Sequence, residues 1–241
     1  KAYLIAKAPG VVAGLPLADY IFKNIDAQIQ FKTLVKEGTF VSPKTKIAEI
    51  SGAYKSLLMA ERTVLNFVQR LSGIATETAL YVAETKGTNT HILDTRKTLP
   101  GYRALDKYAV KVGGGTNHRF GLYDMVMLKE NHIEVAGGIT KAVLQVRKKV
   151  NSDIKIEVET KNLAEVQEAI NNQVDVIMLD NMALNTMREA VILINGKAKV
   201  EASGNMTLNR IADVAATGVD FISVGALTHS VSALDISMLI E

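Results

Sequence analysis

The chain has 241 residues, 48% of them hydrophobic, and its 28 Lys and Arg against 25 Asp and Glu give a formal net charge of +3. That is enough apolar material for one large domain, or one large and one small. No apolar run approaches the roughly 20 residues of a membrane span, the start KAYLIAKAPG has no signal-peptide pattern, and zero cysteines exclude disulfides, thiolate metal sites and Cys nucleophiles together. The slight basic surplus and the 5% aromatic content argue against a nucleic-acid binder, so the expectation is a cytoplasmic globular chain without nucleic-acid or membrane partners.

Residues 1–55 are punctuated by Gly and Pro and carry short alternating or β-branched runs at Ala2–Ala6, Val11–Ala13, Gln28–Leu34 and Ile47–Ile50. These predict the strands of a small sheet, with a short helix at Leu17–Phe22. Because the chain enters its first strand almost at once, a native start further upstream is expected. Over 56–90 the period becomes helical: Leu58, Leu65, Val68 and Leu71 share one side, and Arg62, Asn66 and Arg70 stand at successive i+4 steps on another. Ser72-Gly73 predicts a break into two connecting helices. The polar stripe reads as a solvated face or as part of a site, since neither arginine has an acidic partner four residues on.

The window His91–His132 concentrates the charge. It holds Arg96, Lys97, Arg103, Lys107, Lys111, Arg119 and Lys129 against Asp94, Asp106, Asp124 and Glu130, a surplus equal to that of the whole protein, and three of the four histidines. A solvated basic face is the plain alternative. Yet Arg96 follows His-Ile-Leu and Lys129 follows Met-Val-Met-Leu, runs that read as buried strand ends where a solvated charge does not belong. Clustered cations there call for an anionic ligand.

Beyond Lys129, strand-like runs at Ile154–Glu159, Val174–Asp180, Lys199–Ser203 and Asp220–Gly225 alternate with helical segments near 139–150, 162–172, 184–195 and 207–217. This is a βα repeat with short loops. With strands near 91–95 and 125–129 there are at least six βα units. An α/β barrel over 91–241 is therefore favoured over an open doubly wound sheet, and no GxGxxG or Walker pattern supports a dinucleotide or P-loop reading.

In such a barrel the carboxyl ends of the strands form the catalytic face. The early strands offer cations there (Arg96, Lys97, Arg119, Lys129) and the later ones carboxylates (Glu159, Asp180, Glu201), while the last two strand ends carry small Gly-containing loops suited to phosphate. Arg96, Arg119 and Lys129 could clamp a small di-acid. Glu159 and Asp180 could bind ribose hydroxyls, hold Mg²⁺, or stabilise positive charge developing on a sugar carbon. For any single carboxylate, a buried ion pair is the simpler reading.

The segments GVVAGL (Gly10–Leu15), AERTVLNFVQRLSGIAT (Ala60–Thr76), LDTRKTLPG (Leu93–Gly101), GGGTNHRFGLYDMVMLKENH (Gly113–His132), EVE (Glu157–Glu159), LDN (Leu179–Asn181), EASGN (Glu201–Asn205) and SVGALTHS (Ser223–Ser230) resemble the quinolinate phosphoribosyltransferase family, over nearly the whole chain. The resemblance implies a small N-terminal α/β sandwich followed by an irregular α/β barrel. It also implies transfer of the phosphoribosyl group of phosphoribosyl pyrophosphate to quinolinate, with loss of CO₂ and pyrophosphate, giving nicotinate mononucleotide for NAD biosynthesis with Mg²⁺. On matching positions it implies a quinolinate clamp of Arg96, His118, Arg119 and Lys129, with Arg62 supplied by the partner of a homodimer. The sugar-phosphate side would be Lys97, Glu159 and Asp180, the two carboxylates as metal ligands, with Ser203, Gly204 and Gly225 near phosphate. The further N-terminal helical segment usual in that family does not match here.

Three rival readings remain on the sequence. A nicotinate phosphoribosyltransferase would need fewer cations. A Schiff-base barrel aldolase would use Lys129 as nucleophile, and a non-catalytic anion-binding protein would bind without turnover.

Overall fold

The computed structural model describes residues 1–241. In chain order the elements are β1 (Ala2–Ala6), β2 (Gly10–Val11), α1 (Leu15–Ile25), β3 (Gln30–Thr33), β4 (Phe40–Val41), β5 (Lys46–Ser51), α2 (Tyr54–Ala83), β6 (His91–Leu93) and α3 (Arg103–Val112). They continue with β7 (Val126–Leu128), α4 (Glu130–Ala136), α5 (Ile139–Arg147), β8 (Ile156–Thr160), α6 (Leu163–Asn171), β9 (Val176–Asp180) and α7 (Leu184–Ile194). The last are β10 (Lys199–Ser203), α8 (Leu208–Ala215), β11 (Phe221–Ser223), α9 (Ala226–His229) and β12 (Ile236–Ile240). They group into two units, one of Lys1–Leu80, Lys97–Gly115 and Ala226–Glu241, the other of Tyr81–Arg96 and Thr116–Gly225.

The first unit contains a four-stranded antiparallel sheet in the order β12-β1-β5-β3. Alternation along β1 buries Ala2, Leu4 and Ala6 with Ile47 and Ile50 of β5 and Met238 of β12. Leu15, Ala18 and Phe22 of α1, and Leu57, Ala60, Val64 and Val68 of α2, recur at helical spacing and join the same core. Each large side chain buried in this way contributes about 1.5–3 kcal/mol. The Glu37 carboxylate accepts the N–H groups of Gly14 and Leu15, so α1 is capped from outside its own sequence.

Two sequence expectations change here. The break at Ser72-Gly73 does not occur, and α2 runs unbroken for 30 residues. Gly73 is small because a Cβ there would fall 2.1 Å from the Ser232 carbonyl oxygen. Ser72 turns its hydroxyl to the Ala13 N–H at 2.9 Å. The pair therefore marks a close approach between segments, which sequence cannot distinguish from a helix stop. Second, residues after Ala226 leave the barrel expected over 91–241, because β12 pairs with β1 from Ala2↔Ile240 to Ala6↔Ile236.

The second unit is a six-stranded parallel sheet in the order β6-β11-β10-β9-β8-β7, with helices in the connections. From β7 onward each strand is followed by a helix, the βα barrel arrangement. It is irregular: the outer edge of β6 is extended by an isolated parallel bridge from Leu93 to Thr116, whose N–H reaches the Ile92 carbonyl at 2.8 Å. No helix is long and apolar enough to cross a membrane.

Candidate active site

Residues paired across a sheet project to the same face, so the registers fix what shares a surface. Met127 pairs with Glu157, Glu159 with Met178, Met178 with Glu201, Asp180 with Ser203, and Glu201 with Phe221. One face therefore carries Glu157, Glu159, Asp180, Glu201, Ser203 and Ser223, of which Glu159, Asp180, Ser203 and Ser223 stand at or next to the carboxyl ends of their strands. The other carries Val158, Ile177, Leu179, Val200, Ala202 and Ile222, all buried. A barrel interior of this kind is ordinarily filled by branched apolar side chains in layers drawn from alternate strands. Here β8 and β10, which are alternate, contribute Glu157 and Glu201, fully buried and 1% exposed.

Between those two carboxylates sits His118. Its Nε2 lies 3.1 Å from Glu157 Oε2 and 3.2 Å from Glu201 Oε2, and Ser223 donates its hydroxyl to Glu201 Oε1 at 2.5 Å. The far side of the ring is engaged too, because Nδ1 accepts the Arg119 N–H at 2.7 Å. The loop is pinned again where the His118 N–H donates to the buried Asp94 carboxylate at 2.8 Å. Neither Glu157 oxygen has a hydrogen-bond partner of good geometry, since a single Nε2–H faces two acceptors.

Burial lowers the proton affinity of His118, and the hydrogen bonds and charges of Glu157 and Glu201 raise it by more. Those carboxylates alone would favour a second ring proton, but the Arg119 N–H pointing at Nδ1 leaves no room for one there, so the contacts keep the proton on Nε2. Glu157 is pushed upward, by burial first and by the Glu201 charge second, against the opposing influence of His118. The ligand atoms of His118, Glu157 and Glu201 lie within 4.8 Å of one another, a spacing that could suit a metal ion. Coordination would need a bare Nε2 and therefore a proton on Nδ1, where the Arg119 N–H already points. The cluster is organised around a proton.

Arg119 follows directly. Its Nη1 donates to the Met125 carbonyl at 3.0 Å, which steers the guanidinium along the loop. Burial and the neighbouring Arg96 charge lower its pKa, and Glu157, Asp124 and Glu201 oppose them. Asp124 in turn accepts the Phe120 and Gly121 N–H groups at 2.5 and 2.9 Å, closing that loop. The Arg96 charge near Arg119 concentrates positive charge here, which an anionic ligand could offset.

At the ends of β7 and β8, Lys129 Nζ lies 3.9 Å from Glu159 Oε2, with the lysine side chain 51% exposed and the glutamate 14%. Asp180 ends β9 and accepts the Asn181 side-chain amide at 2.9 Å, while Asn181 Oδ1 accepts from Asn205 at 3.1 Å. The Ser203-Gly204-Asn205 turn is left-handed at Gly204 (φ +93°), where a Cβ would fall 2.3 Å from Asn181 Oδ1. Gly225 follows β11, whose next residue, Val224, donates to the Leu93 carbonyl at 2.9 Å. Thus Arg96, His118, Arg119, Lys129, Glu159, Asp180, Ser203, Gly204 and Gly225 all belong to the second unit. Arg62, exposed on α2, and Lys97, exposed beyond β6, belong to the first. Glu157, Glu201 and Ser223 were missed as a set. The alternation Ile156-Glu157-Val158-Glu159 was the available signal, since it puts both glutamates on one face.

A βα barrel with paired arginines, strand-end carboxylates and a glycine turn at its mouth defines a class of enzyme that holds a small polyanion beside a phosphorylated group. Residues 1–72 match the N-terminal domain model of quinolinate phosphoribosyl transferase and residues 74–239 its C-terminal domain model, so the chain belongs to the quinolinate phosphoribosyl transferase family. It is 50% identical over 241 residues to the probable nicotinate-nucleotide pyrophosphorylase [carboxylating] of Synechocystis, covering 99% of this chain and 82% of that one. It is 46% identical to the chloroplastic nicotinate-nucleotide pyrophosphorylase [carboxylating] of Arabidopsis thaliana, covering 100% and 74%. The crystal structure of NadC from Streptococcus pyogenes superposes with a TM-score of 0.97 at 43% identity, covering 99% and 85%.

Proposed function

We propose that the chain is a pentosyltransferase that joins quinolinate to the phosphoribosyl group of phosphoribosyl pyrophosphate and releases pyrophosphate, CO₂ and nicotinate mononucleotide in NAD biosynthesis. The observation that carries this reading is that Arg119 and the nearby Arg96 belong to the unit whose sheet carries Glu159 and Asp180 on one face. The names of the Synechocystis and Arabidopsis relatives support it.

The guanidiniums would grip the ring carboxylates and present the ring nitrogen to C1′ of the sugar. Its lone pair forms the N–C1′ bond as the C1′–O bond breaks and its electrons leave with pyrophosphate. The C2 carboxylate then departs as CO₂, and C2 takes a proton. Positive charge develops on the sugar ring during the first step, where fixed carboxylates at Glu159 and Asp180 stabilise it. Lys97, Ser203, Gly204 and Gly225 would serve phosphate. Glu159 and Asp180 offer the hard oxygen donors that suit Mg²⁺, which typically takes one or two carboxylates plus substrate phosphate. When bound it would neutralise charge on the departing pyrophosphate.

The Schiff-base rival is not favoured: Lys129 is half exposed and beside Glu159, not in the apolar pocket that an amine nucleophile needs. Incubation with phosphoribosyl pyrophosphate, Mg²⁺ and either quinolinate or nicotinate decides the substrate. Nicotinate mononucleotide and CO₂ from quinolinate alone are expected. Nucleotide from nicotinate alone would overturn the assignment, and borohydride trapping of substrate on Lys129 would restore the aldolase. The absence of cysteine accords with reaction in a reducing cytoplasm.

The same reading places Arg62 in the pocket of a partner subunit in a two-fold dimer, an exchange that is reciprocal by symmetry. Mixing Arg62→Ala and Lys129→Ala proteins after dissociation tests it. Random pairing makes half the dimers mixed with one site restored in each, so about a quarter of wild-type activity returns. An inactive mixture would mean that Arg62 serves its own chain.

A further inference from the structure

The mouth residues explain anion binding, but they do not explain why a barrel layer normally filled with apolar side chains holds two glutamates and a histidine. Burying three ionisable groups is unfavourable unless they are satisfied, and Glu157 is not fully satisfied. Such an arrangement persists where it holds something in place.

What it holds can be followed bond by bond. Ser223 fixes one oxygen of Glu201. The other oxygen of Glu201, with Glu157 Oε2, faces His118 Nε2. The opposite edge of the same ring accepts the backbone N–H of Arg119, and the His118 N–H is tied to Asp94, two residues before Arg96. Both ring nitrogens of His118 are therefore committed to protein groups, and neither is directed at a ligand. Glu157 of β8 and Glu201 of β10 meet one imidazole, Ser223 of β11 braces Glu201, and Asp94, just past β6, holds the His118 backbone.

We propose that Glu157 and Glu201 are positioning residues that act through His118: they hold its ring in the Nε2–H form, and its Nδ1 then sets the backbone from which Arg119 reaches the dicarboxylate of quinolinate. On this view His118 is itself a positioning residue and makes no ring contact with substrate. The inference rests on the reading of the mouth as a quinolinate site.

A double-mutant cycle on the full-length protein tests the relay, with quinolinate affinity measured by calorimetry and the KM for phosphoribosyl pyrophosphate measured alongside. Glu201→Gln and His118→Asn should each weaken quinolinate about tenfold while leaving that KM unchanged, and the double variant should lose no more than either single one. Penalties that multiply, or a matching rise in the second KM, would overturn the proposal in favour of direct or purely structural roles. Should Glu201→Gln not fold, Ser223→Ala removes only the brace on Glu201 and takes its place in the cycle. Nitrogen-15 spectra of histidine-labelled wild-type protein near neutral pH give a second measurement, independent of variants. An Nδ1 without hydrogen and an Nε2 with one are expected at His118, and a protonated Nδ1 would overturn the relay. If the wild type itself fails to bind quinolinate, the functional reading falls and this proposal with it. If the wild type binds and the penalties multiply, this proposal falls alone.

Discussion

Arg70 and Asp106 are joined by a forked ion pair: Nη2 lies 2.9 Å from Oδ2, and Nε and Nη2 both reach Oδ1, at 3.2 and 3.1 Å. The pair couples α2 to α3. It also accounts for one member of the polar stripe on α2, since Arg70 has an acidic partner 36 residues on where none stood at i+4. Asp106 is fully buried, and it also accepts the Leu99 N–H at 3.3 Å. Removing one member of a buried pair leaves the other charge uncompensated, at about 3–5 kcal/mol. Asp106→Ala is expected near the lower end, because Arg70 keeps 22% of its side chain exposed and a second bond to the Thr228 carbonyl. Urea unfolding of the variant measures this directly, and a midpoint equal to that of the wild type would show that the pair adds no stability.

Arg96→Lys keeps the charge and loses the planar two-pronged donor. Quinolinate affinity should fall by the equivalent of about 1.5–3 kcal/mol, one charge-assisted contact. Unchanged affinity by titration calorimetry would remove Arg96 from the clamp.

Asp180→Asn should bind quinolinate nearly as the wild type does and turn over about a hundredfold more slowly, because the carboxylate is useful only as positive charge develops on the sugar. The measurement is kcat across a Mg²⁺ titration beside a binding isotherm. Full activity at every Mg²⁺ concentration would reject the role.

Gly204→Ala introduces a Cβ at a left-handed φ of +93°, 2.3 Å from Asn181 Oδ1. The strain is about 1–3 kcal/mol. Its effect should fall on the turn, raising the KM for phosphoribosyl pyrophosphate while quinolinate affinity holds. A rise in neither would show that phosphate is held elsewhere.

Asp124 opposes burial with N–H bonds from Phe120 and Gly121, so its folded pKa is lowered from the ordinary 3.8. The sign follows from linkage: a group with a depressed folded pKa stabilises the fold above its unfolded value, and that stabilisation disappears as pH falls through the folded one. Wild-type stability should therefore decline below about pH 4 in part through this loop, and Asp124→Asn should flatten that limb. Parallel acid limbs in thermal melts across pH would exclude the contribution.

Much of the second unit was legible because each βα unit carries its own local period. The run Lys199–Ser203 reads as a strand and is one, and the segment near 184–195 is helical over Leu184–Ile194. Which residues stand at strand ends was legible for the same reason. What was not legible depends on distant partners. Gly73 resembles a helix stop until Ser232 is seen against it, and Ile236–Ile240 belongs beside β1, a pairing no local pattern announces. Glu201 was visible as a strand-end carboxylate and Glu157 only as part of the EVE run, but the return of His118 between them is set by the 116–119 loop, whose polar sequence has no period to read.

The pairing of β12 with β1 bears on how the chain is made. During synthesis the strand Ala2–Ala6 is made long before its partner Ile236–Ile240. Until then the AYLIA strand has one edge paired at most, with Leu4 and its neighbours facing a sheet that lacks its outer strand. Contacts between such distant residues form slowly, and an unpaired apolar edge in the interval is a site for association between nascent chains. The sheet of the first unit is thus completed only once Ile236–Ile240 has been made, and shortening that strand would leave the edge of β1 open.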